Sequence, residues 1–156
     1  MLKYLIVFFI SMVPLVELRG AIPIAIGMGI DALPAILVCV VGNILPVPFI
    51  YLFARKFLVW GAKQRYIGRL CNFFVVKGER AGQKLVAKTG RGGLVVALML
   101  FVAIPLPGTG AWTGTLGASF LNMGARSTAF AVCTGVVIAG IIMSTVSLLG
   151  LHMFGL

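Results

Sequence analysis

Charged residues are scarce in this chain, and acidic ones are almost absent. Only 10% of the 156 residues are charged, and three acids, Glu17, Asp31 and Glu79, stand against 13 lysines and arginines. A soluble domain carries about 25% charged residues. With 61% hydrophobic residues, the composition excludes an ordinary soluble protein and predicts one all-α integral membrane domain over residues 1–156.

The residues that most enzymes and metal sites require are also missing. The single histidine, His152, has no nucleophile–base pair or cluster of metal ligands with it. Cys39, Cys71 and Cys133 are odd in number, and two lie in apolar runs, which is typical of buried thiols rather than of a disulfide framework. We therefore expect neither an enzyme nor a bound cofactor or metal.

No charged residue occurs between Arg91 and Arg126, and the length of this gap is informative. One membrane-spanning helix needs about 20 apolar residues, and two with a turn need about 40. The middle of the gap holds helix-breaking residues: Pro105, Pro107, Gly108 and Gly110. We predict a re-entrant hairpin over residues 92–121, made of two half-length helices that enter and leave on one side. Irregular backbone at that depth requires surrounding protein or a watery cavity, which suggests transport.

The first 30 residues show the same pattern. Two apolar stretches are interrupted at residues 14–23, where two prolines and a glycine break a helix. We predict another re-entrant hairpin over residues 1–30. Each hairpin is followed by an apolar run that predicts a spanning helix, at 32–58 with a proline kink and at 127–151.

Most of the positive charge lies between these two units. Ten of the 13 basic residues fall between Arg55 and Arg91, with Glu79 as the only acid among them. A basic segment bounded by apolar spans is typical of a cytoplasmic loop, and aromatic residues at helical spacing predict an amphipathic helix at the membrane surface. We predict that residues 55–91 are cytoplasmic, with residues 60–91 as the linker, and expect no nucleic-acid partner.

A re-entrant hairpin followed by a spanning helix occurs twice, in repeat 1 over residues 1–59 and in repeat 2 over residues 92–156. A unit with one span that is repeated once must be inverted in the membrane, as in many secondary transporters. A match of small residues at an offset of 90 supports the repeat: Gly20, Ala21 and Gly27 with Gly110, Ala111 and Gly117. Small residues spaced by four also line the second span and predict close helix packing, within the chain or in a homodimer: Ala131, Gly135 and Ala139.

Glu17 and Arg19 lie at the predicted tip of the first hairpin. An ionisable residue near the bilayer middle costs about 2.5–3.5 kcal/mol on insertion scales, so it is a functional candidate. Residues two apart do not face each other on a helix, but in broken backbone they could pair. Two alternatives stay open. Either one residue binds substrate while Glu17 carries a proton, or the two form an ion pair that closes the hairpin.

The second tip has no charge but offers hydrogen-bond donors. A helix that begins near Gly110 presents free backbone N–H groups, which favour an anion together with the helix dipole. We predict an anion site near the midplane between the two tips; a Pro/Gly kink of purely structural meaning is the alternative. The residues predicted to line the site are Glu17, Arg19, Gly20, Asn43, Pro105, Pro107, Gly108, Thr109, Gly110, Trp112 and Thr113.

The motifs at these positions resemble those of a known family. Residues 11–23 read SMVPLVELRGAIP, residues 42–49 read GNILPVPF and residues 101–114 read FVAIPLPGTGAWTG. They resemble the bacterial and archaeal small multidrug export protein family, which is distantly similar to the DedA membrane proteins. DedA-type proteins are implicated in moving lipids, including polyprenyl phosphate, between leaflets. The resemblance implies inverted re-entrant hairpins, with Glu17 in the acidic role and Pro107-Gly108 at the Pro-Gly position.

Three functions are compatible with these features. The first is transport or translocation of an anionic lipid, with polyprenyl (undecaprenyl) phosphate preferred. The second is proton-coupled export of cationic or amphipathic compounds with Glu17 as the proton carrier, and the third is a non-transporting membrane scaffold. We favour the first, because a cation site should display an unpaired acid and Glu17 has Arg19 beside it. Membrane lipids are the expected partners, in the cell membrane of a bacterium or archaeon.

Overall fold

The computed structural model describes residues 1–14, 16–62, 68–106 and 109–153. Within these ranges the chain is helical and contains no strand, so the all-α prediction is confirmed there. The helices are α1 (Leu2–Met12), α2 (Glu17–Gly27), α3 (Ala32–Ile44), α4 (Val47–Ala62), α5 (Gly68–Ala103), α6 (Ala111–Phe120) and α7 (Ala125–Met153).

Two of the helix ends lie next to a proline. Val13, the residue before Pro14, is extended (φ −70°, ψ 129°), because the proline ring disfavours a helical conformation in its predecessor. In the same way, α5 ends at Ala103, directly before Ile104, the residue that precedes Pro105. Helix α6 begins directly after Gly110. The second predicted break is confirmed, and residues 93–121 do not form one continuous helix. The first break lies between α1 and α2, but its predicted extent over residues 14–23 is wrong, because Gly20 and Pro23 lie inside α2. A proline is tolerated inside a membrane helix where neighbouring groups satisfy the freed backbone.

Helix α5 is also interrupted within its length. Gly90 has φ +70° and ψ 171°, a backbone conformation open almost only to glycine. The part of α5 after this kink, residues 91–103, is about 20 Å long and α1 is about 16 Å long at 1.5 Å per residue. Both are shorter than the hydrocarbon core of about 30 Å. Residues 63–67 of the predicted linker lie outside the described residues.

In the part of the chain that the structure describes, two segments are long and apolar enough to cross a membrane, Ala32–Ala54 and Ala125–Gly150. They coincide with the predicted spans at 32–58 and 127–151. The first comprises α3 and the first half of α4, and the predicted proline kink is present at Leu45 and Pro46, between these two helices.

The helices α2 and α6 end with the same hydrogen bonds. Ile30 N–H donates to the Ala25 carbonyl and Met123 N–H donates to the Ala118 carbonyl, both at 3.0 Å. The residue before each donor has positive φ: Gly29 at 74° and Asn122 at 54°. This is the left-handed C-cap of a Schellman motif, present twice.

These equivalent positions are separated by 93 residues, as are the starts of α3 and α7. The offset of 90 taken from matching glycines is therefore wrong for this region. Small residues are common in a chain with 20 glycines, so a short match of small residues can arise without structural equivalence. The break before α6 is also three residues longer than the break before α2, which shifts the register between the arms.

Each long apolar helix places a glycine against the arm that precedes the break. A Cβ atom at Gly42 would lie 2.7 Å from the Phe8 carbonyl oxygen, and one at Gly135 would lie 2.7 Å from the Met99 carbonyl oxygen. Small residues are needed there because the backbones approach closely. The small-residue seam of α7 thus packs within the chain, and it gives no support for a homodimer.

Helix α2 lies among the other helices and contacts α1, α3 and α7. Its buried side chains Leu18 and Ile22 belong to the main core together with Val132 and Val136 of α7. Inside a membrane such packing stabilises mainly through van der Waals contact. The packing holds the start of α2, and with it Glu17, against the second break.

Candidate functional site

Glu17 opens α2 in an unusual backbone conformation. Its φ of +50° lies in the left-handed region, which costs a non-glycine residue of the order of 1–3 kcal/mol. The turn before it is closed by hydrogen bonds from Val16 N–H and Glu17 N–H to the Val13 carbonyl, at 3.2 and 2.9 Å. Strain of this kind persists only where surrounding contacts impose it, and at Glu17 those contacts come from the second break.

The Glu17 carboxylate caps helix α6. Its Oε1 accepts a hydrogen bond from Trp112 N–H at 3.1 Å, and the residue is only 4% exposed. Gly110, at the N-cap position of α6, has no side chain with which to cap the helix itself. A Cβ atom at Gly110 would overlap the Glu17 carboxylate, so the glycine makes room for it. A negative charge at this helix start is favoured by the dipole and by the unpaired N–H groups.

Arg19 caps the other side of the same break. Its guanidinium donates to the carbonyl of Ile104 at 3.1 Å, to that of Val102 at 3.4 Å, and to that of Leu106. These carbonyls lie at or just beyond the end of α5, where the helix no longer supplies N–H partners. A cation is favoured at a helix C-terminus for the same dipole reason.

Glu17 and Arg19 therefore bond to opposite sides of the second break rather than to each other. The acid takes an N–H group at the start of α6, and the base takes carbonyls at the end of α5. The expected free N–H groups near Gly110 are not all free, because the Trp112 N–H is occupied by Glu17. The physical reason is that buried backbone donors and acceptors must be paired. We call this arrangement the Glu17–Arg19 cap.

The remaining predicted residues of the second tip do not contact Glu17 or Arg19 through a hydrogen bond that the structure describes. Thr109 donates its hydroxyl hydrogen locally, to the carbonyls of Ile104 at 2.8 Å and Leu106 at 2.9 Å. Thr113 is exposed on α6 and Pro105 is half-buried. Two further predicted residues lie outside the described residues: Pro107 and Gly108.

On the first hairpin, Gly20 faces its own turn. A Cβ atom at Gly20 would meet the Val16 side chain, so the glycine serves local packing. Asn43 of α3 is fully buried, and neither polar atom of its amide has a partner among the described residues. The indole N–H of Trp112 is also buried, and it too has no partner in the part of the chain that the structure describes. Unpaired polar groups in such surroundings are costly, which makes both groups candidates for a ligand.

Both charged residues were predictable from the sequence. The backbone groups to which they bond across the second break were not. The Arg19 acceptors are backbone carbonyls, and no side chain marks them. The available signal is the pair of prolines at the end of α5, since a helix that stops there leaves up to four carbonyls unpaired.

The family model described as "Putative small multi-drug export protein" matches residues 17–142. The chain belongs to this family. No curated protein and no solved structure matches it. The matched stretch contains both sides of the Glu17–Arg19 cap, and family membership together with two apolar spans makes the chain a membrane protein of an export family.

Proposed function

We propose that this member of the small multi-drug export family is a transporter whose substrate is an anionic amphiphile, bound where the two helix breaks meet. The observation that supports it most directly is the Glu17 carboxylate at the start of α6. A carboxylate held on a backbone N–H, with a guanidinium nearby, occupies the kind of site that would receive a phosphate or carboxylate headgroup. In this proposal the Glu17 carboxylate occupies the position that the substrate anion takes when it binds.

We further propose that α1–α2, and the end of α5 with α6, are re-entrant hairpins. Their arms are too short to cross a core of about 30 Å. The shared C-caps and close-approach glycines support a structural repeat. Because each unit contains one long apolar helix, the two repeats are inverted, with residues 55–91 on the cytoplasmic side.

The proposed binding step exchanges one anion for another. The incoming headgroup takes the Trp112 N–H from Glu17 and draws the Arg19 guanidinium from the carbonyls at the end of α5. The unpaired amide of Asn43 and indole N–H of Trp112 are further polar groups available near the second break and α3. Protonation of Glu17 removes its negative charge from the α6 start, so proton uptake and substrate entry favour each other. Polyprenyl phosphate, suggested by the DedA resemblance, is the first substrate to test.

A second candidate is export of organic cations, which the family description suggests. It is favoured by the absence of a Glu17–Arg19 hydrogen bond, because Glu17 is then available to a cation once it leaves Trp112. In that case Glu17 binds the substrate or carries the counter-moving proton, and Arg19 only holds the end of α5. The two candidates therefore assign the decisive role to different residues.

To test this proposal, the protein is reconstituted in vesicles that contain a fluorescent polyprenyl phosphate. Movement of the lipid between leaflets is measured with a reagent that quenches fluorescence only in the outer leaflet. We expect Arg19→Ala to abolish translocation, because a charge-assisted contact worth about 1.5–3 kcal/mol is lost. Arg19→Lys should retain part of it, since the charge stays but the planar fork is lost. Arg91→Ala is the matched control, because Arg91 is exposed beyond the hairpin.

The cation candidate is tested in the same vesicles with pH-driven uptake of an organic cation. There Glu17→Gln should abolish uptake, Asp31→Asn should not, and phosphate lipids should not compete. If Glu17→Gln and Arg19→Ala both transport normally but unfold at lower temperature, the cap is only structural and the proposed site is wrong. If the unchanged protein moves neither substrate, the scaffold alternative stands.

A further inference from the structure

A cavity of about 430 Å³ lies away from the Glu17–Arg19 cap, between the α3–α4 kink and the first turns of α7. Its walls are almost entirely apolar and include Val47, Pro48, Leu52 and Ala129. The volume is within the range of about 300–1,000 Å³ that is typical of ligand sites. None of the residues of α2, α5 or α6 that form the cap lines it, so the cavity is separate from the proposed transport site.

One wall of the cavity carries a buried hydroxyl without a partner among the described residues. Thr128 is 1% exposed, and its Oγ1 has no hydrogen-bond partner among the described residues. Four hydroxyls of α6 and α7 donate to the carbonyl four residues earlier, as is usual for membrane helices: Thr115, Thr134, Thr145 and Ser147. Ser119 and Ser144, like Thr128, have no partner among the described residues, but neither lines this cavity. Of these three hydroxyls, that of Thr128 is the one that belongs to the cavity wall.

Among the described residues that line the cavity, one is charged, and its charge is positive. Arg126, exposed in the first turn of α7, is this residue, and the lining residues that the structure describes include no acid. Tyr51 closes the wall by donating its hydroxyl hydrogen to the Met123 carbonyl, which ties α4 to the turn before α7. An apolar volume with one cation at its rim and one buried hydroxyl fits a molecule with an acyl chain and an anionic head.

We propose that this cavity binds one acyl chain of an anionic phospholipid, with the headgroup at Arg126 and an ester oxygen accepting from Thr128. A membrane offers phospholipid to every exposed surface, so occupancy by some chain needs no special affinity. Selectivity for an anionic head comes from Arg126, since a basic residue near an anionic lipid surface contributes about 1 kcal/mol, or about fivefold.

Cys133 lines the same cavity and provides the readout. The full-length protein in detergent micelles is treated with a thiol-alkylating maleimide, and modification of the Cys133 peptide is timed by mass spectrometry. Phosphatidylglycerol and phosphatidylcholine with identical acyl chains are added in separate titrations. We expect phosphatidylglycerol to protect Cys133 at a concentration about fivefold lower than phosphatidylcholine.

Arg126→Gln should remove this difference and Arg126→Lys should keep most of it. Arg91→Gln, at another exposed arginine, should leave it unchanged. Thr128→Val, which removes the hydroxyl at nearly constant shape, should weaken protection by both lipids about threefold to tenfold.

Three outcomes would overturn the proposal. Equal protection by the two lipids in the unchanged protein would mean that the cavity does not select an anion. No protection by either lipid would mean that it does not take a chain. Loss of the difference in Arg19→Ala, with Arg126→Gln normal, would place the lipid at the helix breaks instead. The result does not depend on transport, so the proposed function and this inference can fail separately.

Discussion

Replacing Gly110 by alanine should disrupt the contact between the two helix breaks. Gly110 has φ +148° and ψ −172°, a region almost restricted to glycine, and an added Cβ atom would overlap the Glu17 carboxylate. The backbone strain costs about 1–3 kcal/mol. Expulsion of the carboxylate loses a charged hydrogen bond worth about 1.5–3 kcal/mol. We therefore expect Gly110→Ala to lower the free energy of unfolding by about 3–6 kcal/mol, measured by denaturation in detergent micelles.

The same helix supplies a matched control. A Cβ atom at Gly117 of α6 would meet no atom within 4 Å, so Gly117→Ala should be neutral, or stabilising by about 0.5–1 kcal/mol through helix propensity. A double-mutant cycle isolates the clash. In a Glu17→Ala background, Gly110→Ala should cost only its backbone strain. Equal effects of Gly110→Ala in both backgrounds would refute the argument that Gly110 makes room for Glu17.

Three other predictions follow from described residues and from the charge pattern. Asn43→Leu should leave the melting temperature unchanged or raised, because it removes an unpaired buried amide, yet it should reduce transport; a clear loss of stability would show that Asn43 has a structural partner. Gly42→Ala should destabilise by about 1–3 kcal/mol through overpacking on the preceding arm, while Gly27→Ala, which meets nothing within 4 Å, should not; similar melting temperatures would contradict the close approach. A membrane-impermeant thiol reagent should label Cys71 only after cell lysis, and labelling in intact cells would place residues 55–91 outside.

The ends of α1 and α5 were predictable because proline acts locally, whereas Pro23, which was also expected to break a helix, lies inside α2. Val13 is extended because Pro14 follows it, and this needs no knowledge of the rest of the chain. The partners of Glu17 and Arg19 were not predictable in the same way. The sequence shows that the two are two residues apart, but the groups they bond are backbone atoms about 90 residues away, which every residue type carries.

The register of the two halves was missed for a related reason. Gly29 and Asn122 occupy equivalent left-handed positions at the ends of α2 and α6. Glycine and asparagine both tolerate that conformation, so the same backbone geometry is encoded by different letters. Identical small residues do not mark this equivalence. They predicted that equivalent positions are 90 residues apart, whereas the helix ends are 93 residues apart.

Glu17 is tethered to the helix start that it occupies, and this has a consequence for measured affinities. A tethered group competes with free ligand at an effective concentration in the millimolar range, as expected for a short link. An anion that binds at the start of α6 is therefore measured against this internal competitor, and its apparent dissociation constant is the intrinsic one divided by the fraction of molecules in which Glu17 has left. Removing the charge of Glu17 would tighten binding without adding any contact to the ligand.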